Sequence, residues 1–212
     1  MSGRKAIVDS LLTEKISAII RANKRSAAEQ AMAAAVDGGF KVIEFTLTTP
    51  SAMELITQFR AMENGLIVGA GTVMTPRATD EAVNAGAQFI VSPVFDRAVV
   101  KRCSELDVVA IPGTQTPTEM QQAHEAGADF VKLFPAPMNV EDYIRYILGP
   151  QPYLNIFPTS GVNLDNMLEV LRAGASGLGF VEPLFDPALI KRGDFGAIQQ
   201  RAKQICAKLA EL

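Results

Sequence analysis

The stretch Glu125-Ala-Gly-Ala-Asp-Phe-Val-Lys-Leu-Phe-Pro135 contains the pattern that decides the fold. A helical segment ends here, Gly127 takes the left-handed position that commonly closes a helix, and an apolar strand begins a few residues later. The same design recurs at Gly39, Gly86 and Gly174, and one further apolar strand lies between consecutive copies. The chain therefore alternates regularly between helices and strands.

The alternation predicts eight strands, which begin near residues 16, 41, 66, 88, 108, 129, 154 and 176. Regular strand–helix alternation is typical of parallel strands with helical crossovers. Eight units favour an α/β fold of the (β/α)8 TIM-barrel type, in which residues 1–212 form a single domain with an additional N-terminal helix. The alternative is a doubly wound open sheet. A doubly wound sheet of the dinucleotide-binding type carries a glycine-rich turn after an early strand. Gly69-Ala-Gly-Thr72 lacks the third glycine of that motif.

Composition excludes several functional classes. The net charge of −3 gives no electrostatic basis for binding nucleic acid or an anionic membrane. No apolar run approaches the length of a membrane span, and residues 1–15 lack the apolar core of a signal peptide. Cys103 and Cys206 match no metal or redox spacing and suit a reducing cytosol. We therefore expect a cytoplasmic protein.

His124 is the single histidine of the chain. One histidine cannot build a zinc site of several His ligands or a two-histidine iron site. His124 lies in an amphipathic pattern over residues 117–126 that predicts a surface helix, so we expect it to be solvated rather than catalytic. Serine or cysteine hydrolysis is thereby disfavoured, while an all-carboxylate magnesium site stays open.

Lys132 is unusual for a predicted strand core. It shares one face of the predicted strand with Phe130 and Phe134, because side chains two residues apart point the same way. Lysine is rarely buried without a role, burial lowers its pKa, and a neutral lysine amine attacks carbonyl carbons. The residue pattern thus predicts a Schiff-base nucleophile. The alternative is a lysine at a strand end whose amine extends to solvent.

Glu44 is equally unusual, because it lies between Ile43 and Phe45 in a second predicted strand. Chemistry in such barrels occurs at the C-terminal ends of the strands, so strands two and six can present Glu44 and Lys132 to one pocket. A carboxylate beside an amine nucleophile is sufficient for imine formation and proton transfer. The alternative is a structural ion pair between the two side chains.

Six short motifs, whose order and spacing match over roughly residues 14–210, resemble those of the 2-keto-3-deoxy-6-phosphogluconate (KDPG) and 4-hydroxy-2-oxoglutarate (KHG) aldolase family. The motifs are Glu44-Phe-Thr-Leu47, Gly69-Ala-Gly-Thr-Val73, Ser92-Pro93, Ile111-Pro-Gly113, Phe130-Val-Lys-Leu-Phe-Pro135 and Pro158-Thr-Ser-Gly161. The resemblance implies a class I aldolase on a (β/α)8 barrel, without metal or cofactor, assembled as a homotrimer.

The resemblance also implies roles for individual residues. Lys132 corresponds to the Schiff-base lysine and Glu44 to the general acid/base, and Thr72 lies where the carboxylate of pyruvate binds. The remaining predicted substrate-binding residues are Arg21, Pro93, Phe134, Thr159, Ser160, Gly161, Gly179 and Phe180. The expected substrate is a 2-keto-4-hydroxy acid, cleaved to pyruvate and an aldehyde.

Two positions depart from the family pattern. Thr48 stands where the family often has arginine, and Phe180 where it usually places a phosphate-binding serine. These departures make a Schiff-base decarboxylase of a β-keto acid such as oxaloacetate, or an aldolase for a short unphosphorylated substrate, the main alternative. A non-catalytic anion-binding barrel and an isomerase-like barrel that uses Glu44 alone are further alternatives.

Overall fold

The computed structural model describes residues 3–62 and 65–212, and within these ranges the chain is an α/β fold of nine parallel strands and ten helices. The strands are β1 (Ile16–Ile20), β2 (Val42–Thr46), β3 (Ile67–Gly71), β4 (Phe89–Val91), β5 (Val109–Ile111), β6 (Gly113–Thr114), β7 (Val131–Leu133), β8 (Ile156–Pro158) and β9 (Leu178–Phe180). The helices are α1 (Gly3–Glu14), α2 (Arg25–Asp37), α3 (Ala52–Arg60), α4 (Pro76–Asn84), α5 (Arg97–Glu105), α6 (Pro117–Glu125), α7 (Val140–Leu148), α8 (Met167–Arg172), α9 (Pro187–Arg192) and α10 (Phe195–Leu209).

The strands form two parallel sheets, in the orders β5-β4-β3-β2-β1-β9 and β6-β7-β8. Each of the eight predicted strands is present, and the fifth is divided at Pro112 into β5 and β6. Proline has no amide hydrogen to donate to a neighbouring strand, which explains the interruption. The last strand, β9, pairs with the first, so the larger sheet curls into a half-barrel.

Two apolar cores lie on the two faces of the strands. The larger core lies between strands and helices and includes Ile43 and Phe45, whereas Val42, Phe89 and Phe130 belong to a separate interior cluster. This separation follows from the alternation of side chains along a strand. Because neighbouring strands carry apolar residues on both faces, the sequence shows near-continuous apolar runs, as is typical of buried parallel strands.

The predicted N-terminal helix, α1, is confirmed and packs on the interior cluster. Its Leu11 is buried there. The Arg4 guanidinium donates hydrogen bonds of 3.0 Å to both carboxylate oxygens of Asp129, and Asp129 also accepts from the amide of Ala110 at 2.9 Å. Asp129 lies two residues before β7, so α1 is tied directly to the beginning of the strand that carries Lys132.

The four predicted helix-closing glycines have the expected conformation. Gly39, Gly86, Gly127 and Gly174 have φ angles of 113°, 106°, 97° and 111°. L-residues rarely adopt such angles, whereas glycine does so without a steric penalty. The recurring motif therefore marks real helix ends.

His124 is exposed on α6, as predicted, with its ring centroid 4.8 Å from that of Tyr153. None of the helices formed by residues 3–62 and 65–212 is both long and apolar enough to cross a membrane.

Candidate active site

A cavity of about 720 Å³ opens at the C-terminal ends of the strands. Ten of the eleven predicted site residues line it. They are Arg21, Glu44, Thr72, Pro93, Lys132, Phe134, Thr159, Ser160, Gly161 and Gly179. These residues lie in or just after seven different strands, so their meeting depends on the fold and not on proximity in the sequence.

Phe180 is the exception, and its predicted place at the site is corrected. The side chain is fully buried in the core between strands and helices, where its ring packs edge-on against Phe40 at 6.2 Å. Because side chains alternate along β9, Gly179 faces the cavity and Phe180 faces away from it. The phenyl ring therefore does not occupy the place of a substrate-binding side chain.

Lys132 lies on β7 with its side chain directed into the cavity. The residue is 8% exposed, and its Nζ lies 5.0 Å from the centroid of the Phe134 ring. Its backbone is fixed by neighbouring strands, since the amide donates to Pro112 at 2.9 Å and the carbonyl accepts from Thr114 Oγ1 at 3.1 Å. The amine is therefore held inside the protein and does not extend to bulk solvent.

Burial lowers the pKa of the Lys132 amine below that of an ordinary lysine. The Glu44 carboxylate opposes this shift, while the Arg21 guanidinium adds to it. Desolvation disfavours the ammonium form, which is the general cause of depressed lysine pKa values. The environment thus favours the neutral amine that carbonyl attack requires.

Glu44 lies on β2, and its register partners on the neighbouring strands are Ile19 of β1 and Gly69 of β3. The residue is 2% exposed, and burial raises the pKa of its carboxyl group, with Lys132 and Arg21 acting in the opposite direction. A carboxyl group with a raised pKa keeps its proton to a higher pH than an ordinary carboxyl group, which suits general acid–base catalysis. Glu44 therefore has the environment of a proton-transfer group.

Glu44 and Lys132 face the same cavity without a direct contact. Among the residues that the structure describes, no hydrogen bond or salt bridge within 4.0 Å joins the two side chains. They influence each other only electrostatically. The structural ion pair considered from the sequence is therefore not formed, and the space between the groups belongs to the cavity.

Two residues beside the cavity have unusual backbone geometry. Thr72 has a φ of 60° and Ser160 a φ of 73°, values that non-glycine residues seldom adopt. The Ser160 hydroxyl accepts a hydrogen bond of 3.2 Å from the amide of Ala136, which holds the turn after β8 against the loop after β7. Such strain is often found at functional sites, in agreement with the predicted location of both residues.

Thr159 and Ser17 carry buried hydroxyl groups without a hydrogen-bond partner among the described residues. Each residue is 2% exposed. Both are register partners of Gly179, one on each side of it, and a β-carbon at Gly179 would lie 2.6 Å from Thr159 Oγ1. Glycine at this position therefore leaves room for the Thr159 hydroxyl, which lines the cavity.

The sequence did not identify several cavity residues. They are Ile19, Thr46, Val162, Val181, Glu182, Pro183, Asp186 and Pro187. Thr46 could have been found, because it follows Glu44 by two residues and so shares its face of β2. Residues 181–187 follow β9 in a loop that has no periodic pattern, and no sequence signal marked them.

Comparison with known proteins agrees with this site. The model of the "KDPG and KHG aldolase" family matches residues 7–201. The chain is 34% identical to the 2-dehydro-3-deoxy-phosphogluconate aldolase of Treponema pallidum over 81% of this chain and 82% of that protein. It is 31% identical to the KHG/KDPG aldolase of Escherichia coli K12, over 96% of this chain and 97% of the relative.

A similar solved structure is that of KDPG aldolase from Legionella pneumophila, with pyruvate captured as a covalent carbinolamine intermediate. It has a TM-score of 0.84 and 25% sequence identity, and the match covers 93% of this chain and 97% of that one. The buried amine, the buried carboxyl group and these relatives lead to one conclusion: the chain belongs to the KDPG and KHG aldolase family and is a class I, Schiff-base aldolase.

Proposed function

We propose that Lys132 is the Schiff-base nucleophile and Glu44 the general acid/base in the cleavage of a 2-keto-4-hydroxy acid to pyruvate and an aldehyde. One observation carries this assignment. A buried amine and a buried carboxyl group face the same cavity and do not contact each other. Two titratable groups whose environments shift their pKa values in a common pocket commonly divide the acid and base roles.

The proposed reaction begins when the neutral Lys132 amine adds to the C2 carbonyl carbon. Loss of water from the carbinolamine gives an iminium cation, which accepts the electron pair released when the C3–C4 bond breaks. The proton of the C4 hydroxyl leaves as the aldehyde forms. The enamine that remains is protonated at C3, and addition of water then releases pyruvate and restores the amine. Glu44 transfers the protons at each of these steps.

The pyruvate half of the substrate is held near Lys132, with Thr72 and Arg21 binding its carboxylate. Arg21 lines the cavity and has a guanidinium group that suits a carboxylate partner. Thr48, which stands at the position of a family arginine, is exposed, does not line the cavity and shares a hydrogen bond of 3.1 Å with Thr46. Arg21 is therefore the cation that we assign to carboxylate binding.

The structure removes a steric objection to aldol cleavage, while position 180 still lacks the serine that the family usually places there. The Phe180 ring packs in the core, so it does not crowd the distal part of the substrate. We therefore assign aldol cleavage as the main reaction, and oxaloacetate decarboxylation is an outcome that substrate comparison would reveal.

The strands close, in our proposal, into a complete (β/α)8 barrel. The Thr159–Gly179 bridge joins the end of β8 to β9, and only Pro112 separates β5 from β6. We further propose a homotrimer that acts in the cytoplasm. The trimer rests on the family pattern, and the cytoplasmic location on the two free thiols, Cys103 and Cys206.

Borohydride trapping tests the proposed function. The protein is incubated with pyruvate and sodium borohydride, and intact mass and peptide mapping locate the reduced adduct. We expect one adduct per chain, on Lys132, and none in Lys132→Met, whereas Lys203→Met on the exposed face of α10 should react like the parent. An adduct elsewhere, or none, would overturn the assignment of Lys132. Steady-state rates with KDPG, KHG and oxaloacetate then rank the substrates.

A further inference from the structure

A small cavity, which we call the floor cavity, lies inside the strands between the active-site cavity and α1. Its volume is about 10 Å³, and Glu44 and Lys132 line it together with Leu11 of α1. Glu44 and Lys132 also line the large cavity that opens at the C-terminal ends of the strands. The two side chains therefore lie between the substrate cavity and the floor cavity, and Leu11 closes the floor cavity on the side of α1.

Helix α1 is tied at its two ends to the strands that carry these two side chains. At its N-terminal end, Arg4 Nη2 lies 2.8 Å from Asp129 Oδ2, two residues before β7. At its C-terminal end, Glu14 Oε1 accepts a hydrogen bond of 3.1 Å from Nζ of Lys41, the residue before β2. β7 and β2 are the strands of the proposed nucleophile and of the proposed general acid/base. The position of α1 is therefore fixed relative to both groups.

The size and lining of the floor cavity show what Leu11 keeps out. A cavity needs about 10–15 Å³ to hold one water molecule, so the floor cavity has no room for more than one. Its lining includes the hydroxyl groups of Ser17 and Thr159, which have no hydrogen-bond partner among the described residues. Enlarged cavities with several polar groups take up water, whereas purely apolar ones stay dry. A shorter side chain at position 11 would therefore admit water beneath Glu44 and Lys132.

The charges around the two cavities come from strands and loops, and α1 contributes none of them. Among the described residues, the charged side chains that line either cavity are Arg21, Glu44, Lys132, Glu182 and Asp186. Of these, Glu44 and Lys132 alone line the floor cavity. The charged residues that the structure describes on α1 line neither cavity, and leucine has no charge. A substitution at position 11 therefore changes hydration at the two groups without changing any charge beside them.

We propose that Leu11 is a positioning residue of the reaction: it closes the strand interior beneath Lys132 and Glu44 and restricts the access of water to both groups from the side opposite to the substrate. This inference rests on the proposed function, because it concerns the environment of the proposed nucleophile. Helix α1 thereby influences the chemistry without contact with the substrate.

The direction of the effect follows from desolvation. Burial is the largest cause both of the lowered pKa of Lys132 and of the raised pKa of Glu44. Water admitted through the floor would hydrate the ammonium and carboxylate forms, so both pKa values would move back toward their ordinary values. Less of the Lys132 amine would then be neutral at a given pH, and attack on the carbonyl carbon would need a higher pH.

The test measures the rate of borohydride trapping of pyruvate against pH in the parent, in Leu11→Ala and in the control Leu171→Ala. Leu171 lies on α8 in the core between strands and helices, is 7% exposed and lines neither cavity. We expect Leu11→Ala to move the midpoint to higher pH and to slow trapping at pH 7 on the order of tenfold, a small part of what burial can do to a lysine. At high pH its rate should approach that of the parent. The control should keep the midpoint of the parent, although thermal unfolding should show that both variants are less stable.

Two further substitutions at position 11 keep the test decisive if Leu11→Ala does not fold. Leu11→Met conserves the volume of the side chain and should keep the midpoint of the parent. Leu11→Val removes one carbon atom and should move the midpoint in the same direction as Leu11→Ala, by a smaller amount. An unchanged midpoint in Leu11→Val and in any folded Leu11→Ala, or an equal shift in Leu171→Ala, would overturn the inference. A loss of rate that is the same at every pH would overturn it too, because it would describe structural damage alone.

The parent protein separates this inference from the proposed function. An adduct on Lys132 of the parent, together with an unchanged midpoint in the variants, defeats the role of Leu11 alone. Failure of the parent to form the adduct defeats the proposed function itself.

Discussion

Gly71 lies directly against the carboxyl group of Glu44. A β-carbon at position 71 would clash with Glu44 Oε1 and lie 2.7 Å from Cδ. The two residues are on adjacent strands, and Thr46 is the register partner of Gly71. The absence of a side chain at position 71 therefore sets the position of the carboxyl group on β2.

We expect Gly71→Ala to reduce turnover by displacing Glu44. A displacement of about 1 Å in a reacting group can lower the rate on the order of 100-fold. Steady-state kinetics with KDPG and borohydride trapping of pyruvate measure the effect, and trapping at Lys132 should persist. Gly196→Ala is the control, since a β-carbon there has no neighbour closer than 4.0 Å. Unchanged turnover in Gly71→Ala would show that catalysis does not depend on where the Glu44 carboxyl group lies beside Gly71.

The pH dependence of adduct formation should report the lowered pKa of Lys132. The rate of trapping is expected to rise with pH and to reach half its maximum below the ordinary lysine pKa of about 10.4. Because the Glu44 carboxylate raises the pKa of Lys132, Glu44→Gln should move the midpoint to lower pH. A midpoint equal to that of free lysine, or one that rises in Glu44→Gln, would contradict this electrostatic description.

The raised pKa of Glu44 predicts a pH-dependent difference in stability. The folded state holds the Glu44 proton more tightly than the unfolded state, so this group stabilises the fold below pH 4.5 and the contribution is lost as pH rises through the raised pKa. We expect the free energy of unfolding of Lys132→Met/Glu44→Gln to exceed that of Lys132→Met by a margin that grows as pH rises from 4.5 through the raised pKa of Glu44. Urea unfolding measures both proteins at each pH, and a constant margin would refute the linkage.

Because the hydroxyls of Thr159 and Ser17 have no hydrogen-bond partner among the described residues, we expect their removal to affect stability alike at both positions and activity at Thr159 alone. A buried hydroxyl without a partner costs about 1–3 kcal/mol, so Thr159→Val and Ser17→Ala should each leave stability unchanged or increase it. Thr159 lines the active-site cavity, and its valine variant should lose turnover, whereas Ser17 does not line that cavity and its alanine variant should keep it. Thermal unfolding measures the stability of both variants, and steady-state kinetics measure their turnover. If Thr159→Val turns over substrate as fast as Ser17→Ala, the Thr159 hydroxyl has no role in catalysis.

The positions of the strands and the main site residues could be predicted because each depends on local patterns. The four helix-closing glycines locate the strands that follow them, and Lys132 and Glu44 stand out because charged residues are rare in apolar strands. Placing both at the C-terminal ends of parallel strands was enough to bring them to one cavity.

Other features depend on geometry that a single sequence does not contain. The prediction for Phe180 failed because a shift of one residue along a strand exchanges the two faces. The Gly71–Glu44 contact depends on the register between β2 and β3, which the sequence does not state. Ser17 was overlooked because one small polar residue hardly alters an apolar strand.

The bond between Arg4 and Asp129 also has a consequence for how the chain folds during synthesis. The two residues are 125 positions apart, so the ribosome must make more than half of the protein before α1 meets its partner. Translation adds about 5–20 residues per second, so the Arg4–Asp129 bond forms on the order of ten seconds or more after α1 is made. The first helix to be made therefore completes its contact with the base of β7 only after five further helices and the strands between them have been made.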